Sequence, residues 1–169
     1  MITLVLGGAR SGKSAVAERL AGAGPVTYLA TFMGGGDDAD MAARVAAHRA
    51  RRPASWTTVE TSDLVGGVRA VERGTLLVDS LTTWVAGATG FAVDTAGLCL
   101  AMGSHDGDVI AVSDEVGLGV HPSSEEGRRF RDALGMVNQA VSSVADEALL
   151  VVAGPVSYTH LTLPTNREV

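Results

Sequence analysis

The chain has 169 residues, enough for one domain with a substantial core. It is 46% hydrophobic, and 19 acidic against 13 basic residues leave a net charge of −6, which argues against a nucleic-acid backbone as the main partner. Only 4% of residues are aromatic, which argues against a stacking platform for single strands, and the single cysteine, Cys99, excludes an internal disulfide and a cysteine-built zinc site.

Ile2 to Leu6 is an apolar run that reads as the first strand. No basic segment followed by an apolar one precedes it, and no apolar run approaches the ~18 residues of a membrane span. The expectation is a soluble, cytoplasmic protein. Gly7-Gly8-Ala9-Arg10-Ser11-Gly12-Lys13-Ser14 follows and fits G-x-x-x-x-G-K-[ST] at every fixed position. Its glycines let backbone N–H groups turn inward around phosphate oxygens, and the next helix adds its positive dipole end. Lys13 can reach the β- and γ-phosphates and Ser14 can hold Mg²⁺. This stretch predicts nucleoside triphosphate binding.

A helix follows, with Val16 and Leu20 on one face, and stops at Gly22-Ala23-Gly24-Pro25. Val26 to Thr31 reads as the second strand and 32–37 as a glycine-rich loop. Asp37 or Asp38 can cap a helix through Met41, Arg44, Val45 and His48, ended by Arg51-Arg52-Pro53. Thr57 to Glu60 is a short strand, and Ser62 or Asp63 caps a helix with Leu64, Val68 and Val71 aligned and Gly74 as its stop. Thr75 to Asp79 and Val109 to Ser113 are the apolar runs expected of strands buried on both faces of a parallel sheet. Ser123-x-x-Glu126 has the form of a capping box, and it precedes the clearest helix, with Phe130, Leu134, Val137, Val141 and Val144 at i, i+4, i+7, i+11 and i+14. Leu149 to Ala153 is the last clear strand.

Alternating strands and helices predict an α/β, P-loop NTPase-like three-layer fold with a mostly parallel sheet. The organisation expected is one domain over 1–156, irregular across 86–107, and a non-native tail over 157–169, whose order and composition resemble translated adapter sequence.

Asp79, ending a buried strand, fits the second Mg²⁺ carboxylate of such a site. A strand-ending helix cap is the simpler alternative. Asp114-Glu115, followed by Gly117 and Gly119, falls at the carboxyl edge of the sheet, where α/β ligands bind. His48, among Arg44, Arg49, Arg51 and Arg52, has neighbours that favour neutral, nucleophilic imidazole. A solvated helical histidine is the alternative there.

Taken together the residues resemble one family. The P-loop, Tyr28-Leu29-Ala30-Thr31, Arg44 with His48, Arg52-Pro53, Trp56, Glu60, Asp79-Ser80-Leu81-Thr82-Thr83, Glu115 to Gly119, and Phe130 to Gln139 are similar, in order, to the bifunctional adenosylcobinamide kinase / adenosylcobinamide-phosphate guanylyltransferase of cobalamin synthesis. The likeness covers about residues 1–85 and 109–155. It implies phosphorylation of adenosylcobinamide by a nucleoside triphosphate, ATP or GTP. It further implies transfer of GMP from GTP, through a guanylyl-histidine on His48, to adenosylcobinamide phosphate. The implied nucleotide site takes in the P-loop, Ala30, Thr31, Phe32, Arg49, Ala50, Arg51, Arg52, Glu60 and Asp79. Ser14 and Asp79 are the implied Mg²⁺ ligands, Lys13 and His48 the catalytic residues, and a homo-oligomer, typically a trimer, the implied assembly. Nucleic acid is not expected as a partner.

The departures are Asp114 where the resemblance leads one to expect asparagine, a segment over 86–107 shorter and less helical than the family's, and a tail in place of the closing strand. A P-loop kinase of another small molecule, without a covalent nucleotide, is the alternative function. A nucleotide-dependent switch would call for an N-K-x-D-type signature, which the chain lacks.

Overall fold

The computed structural model describes residues 1–31, 52–154 and 156–159. Among the described residues seven strands form one sheet: β1 (Ile2–Gly7), β2 (Val26–Ala30), β3 (Thr57–Glu60), β4 (Thr75–Asp79), β5 (Val109–Asp114), β6 (Glu147–Val151) and β7 (Val156–Thr159). Their spatial order is β3-β2-β4-β5-β1-β6-β7. All pairs are parallel except β6 with β7. The P-loop strand β1 therefore lies inside the sheet, with β5 between it and β4. Both faces of the central strands are covered, which is why they read as unbroken apolar runs rather than alternating ones.

One face carries α1 (Lys13–Ala21), whose Val16, Ala17 and Ala21 pack on Val5, Tyr28, Leu77, Ile110 and Val112. The other carries α2 (Leu64–Ala70), α3 (Leu81–Gly87), α4 (Thr95–Gly103) and α5 (Glu125–Val144). Their Leu64, Val68, Leu81, Trp84, Leu98, Met102, Leu134, Val137 and Val141 enclose a second core with Leu4, Leu29, Leu76, Val78 and Ala111. Helices on both faces of a mostly parallel sheet make the three-layer α/β fold expected. No helix among the described residues is long and apolar enough to cross a membrane. The helix predicted to begin near Asp37 and carry His48 lies outside the described residues.

Three readings differ from the structure. The segment 86–107 contains α4 and a short 3₁₀ turn, Thr89–Phe91, rather than irregular chain. Asp94 caps α4 by accepting the Gly97 N–H at 2.8 Å. Leu98, Ala101 and Met102 are buried, but the outward Ala96 and Leu100 are apolar too. The contrast between faces that reveals a helical period is therefore missing. Second, α5 is capped by Ser124, not Ser123: Ser124 Oγ accepts the Gly127 N–H at 3.0 Å. That shift puts Glu125 and Glu126 in the first turn, where negative charge meets the positive end of the helix dipole. Third, a closing strand is present. β7 pairs antiparallel with β6, from Ala148↔Thr159 to Val151↔Val156. A ladder uses backbone groups alone, so the break in composition at Ser157 does not interrupt it.

Candidate active site

The site begins where β1 ends. A side chain on Gly7 would place its Cβ 2.4 Å from Ser11 Oγ and 2.6 Å from the Val151 carbonyl oxygen. Only glycine lets the loop fold this tightly. The Ser11 N–H donates to the Gly8 carbonyl at 3.2 Å, and the Gly154 N–H donates to the Ser11 carbonyl at 2.8 Å, closing the loop after β6 against the P-loop. Gly12, at φ 91°, turns the chain into α1 and offers no side-chain cap. No acidic residue stands in the first turn of α1 either. The first-turn N–H groups are thus left to an anion, as a phosphate cradle requires.

Lys13 folds back over this loop. Its Nζ lies 2.6 Å from Asp114 Oδ1 and donates to the Gly8 carbonyl at 3.4 Å. Asp114 is the last residue of β5 and sits in register with Gly7. Its N–H donates to Thr82 Oγ1 at 2.8 Å, and its carbonyl accepts from Asn138 Nδ2 at 3.1 Å. Helices α3 and α5 thereby hold the end of β5 from the opposite face of the sheet.

Strand register arranges the remaining candidates. Val112, Asp79, Ala30 and Glu60 are direct partners across β5, β4, β2 and β3. Residues in register share a face, and Val112 and Ala30 pack with the α1-side core. Asp79, Ala30 and Glu60 therefore lie on the α1 side at the carboxyl edge of the sheet. β3 is four strands from β1, about 19 Å at ~4.8 Å per strand. The row leads from the P-loop strand past Asp79 to Glu60.

Asp79 is held by Tyr28, whose hydroxyl donates to Oδ2. Tyr28 is buried, and burial first, then the Asp79 charge, push its phenol well above the usual tyrosine range. The Arg52 guanidinium stacks 3.4 Å from the centroid of the Tyr28 ring, and Trp56 stacks on Tyr28 at 6.3 Å between centroids. Arg52 Nη1 also donates to Thr58 Oγ1 at 3.1 Å. Arg52 is thus set within two residues' reach of Asp79, through an aromatic ring.

Of the residues picked from sequence, the P-loop with Lys13 and Ser14, Ala30, Asp79, Glu60 and Arg52 come to one side and edge of the sheet. Thr31 is buried just beyond β2. Its hydroxyl accepts the Ser80 N–H at 3.0 Å and donates to the Ser80 carbonyl at 2.6 Å, fastening the ends of β2 and β4 to each other. Phe32, His48, Arg49, Ala50 and Arg51 lie outside the described residues. Glu115 braces its own loop, accepting the Gly117 N–H at 2.7 Å and the Leu118 N–H at 3.0 Å. Sequence reasoning did not find the contact of Asp114 with Lys13 or that of Tyr28 with Asp79. The only signals were a carboxylate after a strand and a tyrosine within one.

Ser14 and Asp79 supply hard oxygen donors, the kind Mg²⁺ selects. Among the described residues no group of three or more His, Cys, Asp or Glu could hold a metal alone.

Comparison with known proteins bears on the fold and the family. Among solved structures the chain is similar to a prototypical ATPase from the type III secretion system of pathogenic bacteria, with a TM-score of 0.55 at 13% identity, covering 88% of this chain and 50% of that one. The likeness is one of fold. Among characterised relatives, the chain is 41% identical over 165 residues to the bifunctional adenosylcobalamin biosynthesis protein CobP of Pseudomonas aeruginosa, covering 91% of this chain and 94% of that protein. It is 36% identical to the bifunctional adenosylcobalamin biosynthesis protein CobU of Salmonella typhimurium, at 91% and 97% coverage. Residues 3–157 match the family described as cobinamide kinase / cobinamide phosphate guanyltransferase, and the chain belongs to that family.

Proposed function

We propose that this chain performs both reactions named by its family, phosphorylating adenosylcobinamide and then transferring GMP from GTP to the resulting phosphate. The observation that carries the reading is the line of Lys13, Asp79 and Glu60 along one edge of the sheet, in a chain matched to the family over residues 3–157.

In the kinase step the P-loop holds the triphosphate and presents the γ-phosphorus to the substrate hydroxyl. The new O–P bond forms as the β–γ bridge breaks, the hydroxyl proton passes to solvent, and the nucleoside diphosphate leaves. The backbone N–H groups of residues 8–14 and the Lys13 ammonium balance the charge that gathers on the bridging oxygen. In the guanylyl step the resemblance assigns the nucleophile to His48. Its ring nitrogen bonds the α-phosphorus as pyrophosphate departs into the same cradle. A phosphate oxygen of the cobinamide phosphate then displaces the histidine, returning the free imidazole and completing a two-step transfer. Glu60 would accept guanine N–H groups, and Arg52 would lie along the nucleotide.

Ser14 and Asp79 would hold Mg²⁺, which when bound neutralises phosphate charge. Tyr28 fixes the Asp79 carboxylate from behind. A cytoplasmic setting with access to GTP and ATP, and assembly as a homotrimer, belong to the same reading. Leu118, Val120 and Met136 are exposed apolar residues that could serve such an assembly.

Incubation with α-labelled GTP tests the transferase half. The expected result is an acid-labile, base-stable label on the denatured protein that is absent from His48→Ala. Cobinamide phosphorylation without any protein-bound label would leave a kinase alone.

A further inference from the structure

Lys13 does not face an open cradle; it is held by a carboxylate at 2.6 Å. The Lys13 and Asp114 side chains are only 14% and 28% exposed. The backbone of Asp114 cannot withdraw, because Thr82 binds its N–H and Asn138 its carbonyl. The β- and γ-phosphates of a bound nucleotide must come to Lys13 Nζ. A fixed negative charge therefore stands one ammonium group away from the place they occupy. Asparagine at this position would keep the shape without the charge.

We propose that Asp114 is a specificity-determining residue that makes this P-loop select metal-complexed over free nucleoside triphosphates. An entering triphosphate has to share Lys13 with Asp114, and the two anions repel in a part-buried site where water and salt screen them weakly. A divalent cation removes two charges from the triphosphate and weakens that repulsion. Free triphosphate feels it in full. The neutral side chain of asparagine would relieve the free form more than the complexed one, and so erode the discrimination. The proposal rests on the nucleotide-binding part of the function above and is independent of cobinamide chemistry.

The test is calorimetric titration of the full chain with a GTP analogue bridged by methylene between the α- and β-phosphates, which cannot release its nucleotidyl group. Binding is measured in Mg²⁺ and in EDTA, for the unaltered protein, Asp114→Asn and Asp114→Ser, after thermal melts establish that each is folded. In EDTA, Asp114→Asn is expected to bind about tenfold tighter than the unaltered protein, while in Mg²⁺ the change stays below about threefold. Asp114→Ser serves the same purpose with a smaller side chain. The proposal is overturned if neither variant binds the metal-free analogue more tightly, if the gain is equal with and without metal, or if no protein binds either form. A missing histidine label with the binding pattern intact would instead remove the proposed transferase and leave this selectivity standing.

Discussion

The hydroxyl of Tyr28 donates to Oδ2 of Asp79, joining the middle of β2 to the end of β4 on the face that carries the P-loop helix. The ring of the same tyrosine lies under Arg52. One buried side chain therefore orients a candidate metal carboxylate and seats a candidate nucleotide-binding arginine. Replacing Tyr28 with Phe keeps the ring and removes the donor. Loss of one hydrogen bond to a charged group is expected to lower stability by about 1.5–3 kcal/mol. The Mg²⁺ concentration for half-maximal guanylyl transfer should rise several-fold, with Km for GTP nearly unchanged. A metal titration that superimposes on that of the unaltered protein would deny Tyr28 this positioning role.

Tyr28 also sets an alkaline limit. Its folded phenol is held above its ordinary value of 10.0, first by burial and then by Asp79. Above pH 10 the unfolded chain loses this proton while the folded chain keeps it, so the unfolded state binds fewer protons and stability falls as pH rises. Below pH 10 this contribution is complete and flat. Urea denaturation at pH 9 and pH 11 should show the decline, and Tyr28→Phe should show a shallower one.

Gly7→Ala is expected to disable the cradle. The added Cβ would meet Ser11 Oγ at 2.4 Å and the Val151 carbonyl at 2.6 Å, and the second of these is backbone that cannot rotate away. Overpacking of this kind costs about 1–3 kcal/mol. Triphosphate binding should fall by at least tenfold, because the loop can then no longer close on phosphate. Calorimetric affinity close to that of the unaltered protein would show that the loop opens without penalty.

Leu134→Ala separates scaffold from site. Leu134 is fully buried in α5, within the core on the face opposite α1. Its truncation should destabilise the protein by about 2–5 kcal/mol, read as a lowered urea midpoint. At a temperature where the variant remains folded, its Km for GTP should change less than twofold. A large Km change would mean that α5, through Asn138 and the end of β5, conveys core packing to the P-loop.

Much of this was legible in the chain because it was contiguous. The P-loop is eight consecutive residues, with an apolar strand before it and a helix after it. The strands β4 and β5 were visible as unbroken apolar runs, and α5 as a strong period. Helix α4 was hidden because Leu100, on its outward side, is as apolar as Leu98, on its buried side. The cap of α5 was displaced by one residue because Ser123 and Ser124 both suit the role, and only the Gly127 N–H decides between them.

The amino-acid sequence by itself determined the chemistry this protein can offer: a phosphate cradle, a strand-ending Asp79, and the motif set that marks its family. Tertiary structure alone decided which side chains meet. Lys13 and Asp114, and Tyr28 and Asp79, are far apart in the chain, the second pair by 51 positions. They meet only because β5 lies beside β1 and β2 beside β4. Parallel strands buried on both faces look alike in sequence, since each is a similar apolar run, so strand order leaves no local trace. Register does the rest, bringing Asp79 and Glu60 onto one face and setting the fixed charge of Asp114 against the lysine of the P-loop.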